Sequence, residues 1–171
     1  MYVFLGGAPL VAAQLGEHSS QALGLYMGMV PAGFMVGSYL VGHANGRFSA
    51  QACMLAGRSL SCIGLLIGLG LLMGGARHPL VFFGPCVALG LGNGLTMPAA
   101  HAHILALFPT RAGTAAGLAA AATMVGAGSI AFVSGALIDA HHASVAVPAV
   151  MLGVSLLSLL VALRIAFSAR P

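Results

Sequence analysis

Few side chains in this sequence could do chemistry, and each has a bland alternative. Asn93 stands in Gly90-Leu-Gly-Asn-Gly-Leu-Thr-Met-Pro98, a stretch with no charge for many residues on either side. A primary amide in an apolar helix must pair with another helix or face water. It is therefore either an interhelical hydrogen bond or a substrate contact, and the sequence leaves both open. On a helix, Asn93, Met97 and Ala100 share a face, with Thr96 beside them. His101 follows, and an imidazole can exchange a proton near neutral pH, which makes His101 the candidate proton relay. His103 points about 200° away on the same helix, so the two cannot hold one metal ion. Cys53, Cys62 and Cys86 lack paired ligand spacing and read as small thiols, two of them inside apolar segments. No metal site is expected. The only acids are Glu17 and Asp139. No Ser-His-Asp set, HExxH, P-loop or dinucleotide fingerprint is present, so neither an enzyme nor a cofactor is expected.

The elements that carry these residues follow from composition. Of 171 residues, 60% are hydrophobic and 5% charged, against roughly a quarter charged in a soluble domain. So few charges cannot coat a soluble surface. They do punctuate a chain whose surface faces lipid, because the uncharged runs 18–46, 59–76, 78–110, 112–138 and 140–163 each suit a span of ~20 residues. Residues 1–16 form a shorter apolar run with no basic residue before it. No secretory signal is expected from this pattern, which suggests a first helix that is truncated at its start. The runs are continuous rather than alternating, which favours helices over the strands of a membrane barrel.

Six helices in a single transmembrane bundle over 1–171 are expected at about 1–15, 20–43, 53–74, 79–107, 112–138 and 145–167. Short connections rich in Gly, Pro, Asn or charge make successive helices antiparallel. Gly24-Gly28, Gly33-Gly37, Gly64-Gly68, Gly70-Gly74, Gly90-Gly94 and Gly113-Gly117 have the spacing that lets helix backbones approach closely in lipid. Pro9, Pro31, Pro85 and Pro98 fall inside spans and each removes a backbone hydrogen bond. Shifting the chain by 89 residues lays Pro9 on Pro98, Gly24 on Gly113 and Met35-Val36-Gly37 on Met124-Val125-Gly126. A repeat of three helices must be inverted in the membrane.

Orientation follows from arginine, since there is no lysine. Arg47, Arg58, Arg111, Arg164 and Arg170 fall on one side of the expected topology, and Arg77 with both acids on the other. The arginine-rich side is expected to be cytoplasmic, with the C-terminus. Arg47, Arg58 and Arg111 are assigned to cytoplasmic loops that set topology. The arginines are scattered singly, so no nucleic acid is expected as a partner. The richness in Ala, Gly and Arg suggests a GC-rich bacterial source and hence an inner membrane.

Several blocks together resemble the C-terminal half of a major facilitator superfamily transporter of the Bcr/CflA drug-resistance type. They are Tyr2-Val-Phe-Leu-Gly-Gly-Ala-Pro9, Gly24-Leu-Tyr-Met-Gly-Met-Val-Pro-Ala-Gly-Phe-Met-Val-Gly37, Gly90 to Ala100, and Phe108-Pro-Thr-Arg-Ala-Gly-Thr-Ala-Ala-Gly-Leu118. The resemblance implies an all-α membrane fold, the six-helix half of a twelve-helix carrier with an inverted three-plus-three repeat. It implies proton-driven multidrug efflux by an antiporter that confers antibiotic resistance. Its partners would be the lipid bilayer, a small-molecule substrate, and a missing N-terminal half or another half-bundle. By the same analogy, the cavity candidates are Gln14, Tyr26, Met27, Asn93, Met97, Thr123 and Met124. The loop Gly37 to Arg47 lacks the acid that the family's corresponding loop carries, and an uptake carrier or a non-transporting remnant has the same fold.

Overall fold

A computed structural model describes residues 2–16, 19–43, 48–76, 78–137 and 143–168. Its helices are α1 (Tyr2–Gln14), α2 (Ser20–His43), α3 (Ala50–Met73), α4 (Pro79–Leu107), α5 (Ala112–Leu137) and α6 (Ala143–Ser168), with one 3-10 turn at Pro109–Arg111. Five of them contain stretches long and apolar enough to cross a membrane, and the apolar part of α1, Val3–Gln14, is shorter. No strand occurs among the described residues.

Local chemistry sets the helix ends. Ser49 is extended and its hydroxyl accepts from the Ala52 N–H at 3.2 Å, satisfying one of the orphan donors of the first turn. This cap starts α3 three residues earlier than the apolar run alone suggests. The helix closes on Gly75, whose φ of +87° is left-handed. The Ala76 N–H donates to the Leu71 carbonyl at 3.2 Å and the Gly75 N–H to Leu72 at 3.1 Å, a Schellman stop that only glycine forms cheaply. His78 then caps α4, its Nδ1 accepting from the Leu80 N–H at 3.2 Å with Pro79 in the first turn. Ser49→Ala is expected to cost about 1 kcal/mol, a fall of roughly 3 °C in Tm for a chain of this size. Thermal melting of the detergent-purified protein checks this, and an unchanged Tm would mean the cap contributes nothing.

α4 is the central helix. It packs along α2 on one side and α3 on the other, and α3 also meets α6. α1 packs on α6 and α5. Exchanging each helix for the one three later maps these contacts onto themselves: α2–α4 becomes α5–α1, α3–α4 becomes α6–α1, and α3–α6 is unchanged. That is the pattern of a three-plus-three repeat. The α1 contacts are the sparser set, because α1 has 13 residues where α4 has 29.

Glycines permit the close crossings. A Cβ on Gly90 would overlap the Val30 carbonyl, and one on Gly94 the Phe34 carbonyl. From the other side, Gly33 would place a Cβ 2.7 Å from the Val87 carbonyl oxygen. Gly92 faces the opposite way, against the Gly57 carbonyl and the Ser61 hydroxyl. α4 thus offers Gly90 and Gly94 to α2 and Gly92 to α3. Pro98 leaves the Gly94 carbonyl without its helical donor, and Ser38 of α2 donates its hydroxyl to that oxygen at 3.4 Å. An aromatic group closes the other end of the bundle. Phe83 stacks on Tyr26 at 5.0 Å and meets Phe82 and Phe4 edge-on. Phe4, Phe82 and Phe83 are almost wholly buried with Val11, Leu65 and Val147.

Candidate functional site: two cavities beside the Arg58–Asn93 pair

Asn93 lies at the midpoint of α4, fourteen residues from Pro79 and fourteen from Leu107. The helix is about 43 Å long at 1.5 Å per residue, so the amide stands near the middle of any bilayer the bundle spans. It is half-buried. Its Oδ1 accepts a hydrogen bond from Nη1 of Arg58 on α3 at 3.1 Å.

This pair corrects one expectation. Arg58 is not in a loop: it lies well inside α3, half-buried, with its guanidinium beside the centre of α4. The isolated charge in the sequence looked like the end of a span. An amide 35 residues later supplies the partner that lets it sit inside. Arg111 stands in the 3-10 turn between α4 and α5, exposed, and borders a cavity of about 400 Å³ with Phe108 and Leu118. Arg47, Arg77 and Arg170, like Glu17 and Asp139, lie outside the described residues.

A cavity of about 580 Å³ opens on one side of Asn93. It is bounded by Val3 and Leu5 of α1, Phe34 of α2, Met97 of α4, and Thr123, Gly126 and Ile130 of α5. Its lining is mostly apolar, with the Asn93 amide and the Thr123 hydroxyl as polar points. The Thr123 hydroxyl donates to the Ala119 carbonyl at 2.8 Å, so toward a guest it offers lone pairs. Such a wall suits an apolar molecule of drug size with one or two polar groups.

The internal repeat pairs this space with a tight crossing elsewhere in the bundle. Gly37 and Gly94 press α2 onto α4, and a Cβ on Gly94 would lie 3.0 Å from the Gly37 Cα. The residues that correspond to them by the 89-residue shift are Gly126 and Leu5. Where α2 and α4 have two glycines, α5 and α1 have a glycine and a leucine. A Cβ on Gly126 would meet nothing within 4 Å, and both Leu5 and Gly126 line the cavity.

Of the candidates from sequence, Asn93, Met97 and Thr123 come together here. Tyr26 and Met27 pack instead on the hydrophobic core at the far end of α4. Gln14 ends α1, exposed, and Met124 points outward with 62% of its surface exposed. His101 is on an exposed face of α4 near its C-terminal end and does not line the cavity. Cys62 and Cys86 are buried free thiols and Cys53 is half-buried. Among the described residues no three His, Cys, Asp or Glu side chains converge as metal ligands would.

A second, smaller cavity of about 160 Å³ lies on the other side of α4, between α3 and α6, lined by Gln51, Met54, Arg58, Thr96, Ser158, Val161 and Ala162. The Arg58–Asn93 hydrogen bond separates the two spaces. Nothing in the sequence marks this second cavity, because Ser158 and Gln51 look like ordinary polar residues in apolar helices.

A bundle of apolar helices, five of them long enough to cross a bilayer, defines a multi-pass membrane protein. The family model of the Major Facilitator Superfamily matches residues 1–171, and the chain belongs to that superfamily of membrane transporters. No curated protein and no solved structure matched it.

Proposed function

We propose that this chain forms the C-terminal half of a drug-efflux carrier of the Bcr/CflA type, driven by protons across a bacterial inner membrane, with its C-terminus in the cytoplasm. The observation that carries the reading is the 580 Å³ cavity, whose apolar wall with two polar points fits amphiphilic drugs rather than sugars or ions. The exposed apolar face of α5, with Leu118, Val125 and Phe132 each more than 70% exposed, supports a second half-bundle as the partner that completes the cavity. Blotting native membranes with an antibody to residues near the C-terminus measures the gene product. A band near twice 17.0 kDa supports a carrier made as one chain.

Transport is tested with the native gene product in a bacterial strain lacking its major efflux pumps. Expression is expected to lower ethidium accumulation, and a protonophore to abolish the effect. Gly126→Phe should fill the cavity, since a Cβ there meets nothing within 4 Å. The protein should reach the membrane in normal amount while ethidium efflux falls by roughly tenfold, as the loss of about 1.4 kcal/mol of favourable contact would produce. Unchanged efflux by Gly126→Phe would remove the cavity from the transport path. Accumulation insensitive to the protonophore would remove proton coupling, and raised accumulation would indicate uptake.

A further inference from the structure

We propose that the small cavity between α3, α4 and α6 is a binding site for a carboxylate, with Arg58 as its anchor. This goes beyond the efflux reading and does not depend on it, because the site lies on the opposite side of Asn93 from the large cavity.

The first argument is depth. The Arg58 guanidinium donates to Asn93 at 3.1 Å, and Asn93 is at the midpoint of α4. A charge at this level is costly and is kept where it has a role. The second is the missing counter-ion. The chain has two acids, Glu17 and Asp139, and among the described residues there is no carboxylate side chain to pair with Arg58. Asn93 supplies one neutral acceptor to a group with five N–H donors. The third is the lining. Gln51, Met54 and Arg58 fall on one face of α3 at intervals of three and four residues. Opposite them, Ser158, Val161 and Ala162 share a face of α6. The Gln51 amide, the Ser158 hydroxyl and the guanidinium are donors, and Thr96 spends its proton on the Gly92 carbonyl at 2.7 Å. The lining holds no negative charge and combines these donor-bearing residues with the apolar side chains of Met54 and Val161.

A space of about 160 Å³ takes a carboxylate on a small apolar body, which the planar guanidinium engages through two parallel hydrogen bonds. A lipid phosphate offers similar oxyanion chemistry. Headgroups lie about 15 Å from the bilayer centre, whereas this guanidinium sits at the level of the α4 midpoint, and that favours a small organic acid.

The test uses the full chain in phosphatidylcholine nanodiscs, with benzoate as probe and benzamide as its neutral isostere. Saturating benzoate is expected to raise Tm by roughly 3 °C, and benzamide to leave it unchanged. Arg58→Gln should lose the response, and Arg58→Lys should keep it weakened, because an ammonium lacks the fork. Should Arg58→Gln fail to fold, Asn93→Asp decides. It adds a carboxylate beside the guanidinium instead of removing a partner, so the protein should fold and its response to benzoate should vanish. Equal responses to benzoate and benzamide, or a full benzoate response in Asn93→Asp, would overturn the proposal. Stabilisation by phosphatidylglycerol or inorganic phosphate without any by benzoate would overturn it too, and would name a phosphate as the anion.

Discussion

Gly94→Leu is expected to prevent α2 and α4 from docking, so that little protein elutes as a single folded species from size-exclusion chromatography in detergent. Any side chain at this position meets backbone: the Phe34 carbonyl, the Ser38 nitrogen at 2.9 Å and the Gly37 Cα at 3.0 Å. Backbone has no rotamer to retreat into, so the helices must separate, and separation forfeits the whole α2–α4 interface. Overpacking a well-fitted core costs about 1–3 kcal/mol when side chains can shift. Here they cannot, and the upper end or more is expected. Gly70→Leu is the control. It lies in another glycine pair of the same spacing, but a Cβ there meets nothing within 4 Å. Both changes gain the same ~0.8 kcal/mol of helix propensity, so the difference between them isolates the contact. Equal melting of the two variants would sink this account of the crossing.

Removing Asn93 should harm the protein more than removing Arg58. Asn93→Leu leaves a mid-membrane guanidinium without the amide it donates to. Stripping a partner from a buried charge costs about 3–5 kcal/mol, and the partial exposure of Arg58 reduces the expected loss to roughly 2 kcal/mol. Arg58→Met removes the charge itself. Replacing buried ionic groups with apolar ones of similar volume is often neutral or stabilising, and the Asn93 amide still borders the large cavity, where water can reach it. The double variant Asn93→Leu/Arg58→Met should therefore recover most of the stability lost in Asn93→Leu alone. Chemical denaturation of all four proteins gives the coupling energy. Additive losses would mean that the hydrogen bond contributes nothing to the fold.

The spans were legible in the sequence because hydrocarbon imposes one rule on every residue along a run, and each run ends where a charge or breaker stands. The repeat was legible for a related reason: Met35-Val36-Gly37 and Met124-Val125-Gly126 occupy corresponding helices, and the contact pattern follows the same exchange. Glycine pairs were only half legible. Gly33-Gly37, Gly64-Gly68 and Gly90-Gly94 pack against neighbours, while Gly24-Gly28 and Gly113-Gly117 face open space. Spacing belongs to one helix, whereas contact depends on which helix lies opposite. Arg58 shows the same limit for charge. Its partner is on another helix, and nothing near it in sequence distinguishes a guanidinium at a membrane surface from one at mid-depth. The large cavity lies where the repeat has Leu5 in place of Gly94, a difference that acquires meaning only once α1 and α5 are seen side by side.

The central place of α4 has a consequence for synthesis. Among the described residues α2 and α3 scarcely touch each other, and each meets α4 along its length. When the ribosome has delivered α2 and α3, their glycine faces have no partner yet. At 5–20 residues per second, α4 follows a few seconds later. Through that interval the membrane insertion machinery must hold two helices that cannot pair, and the first committed assembly event is the arrival of α4 between them. Substitutions at Gly90, Gly92 or Gly94 would then act on nascent chains, and they would show as degradation during synthesis before any mature carrier could be assayed.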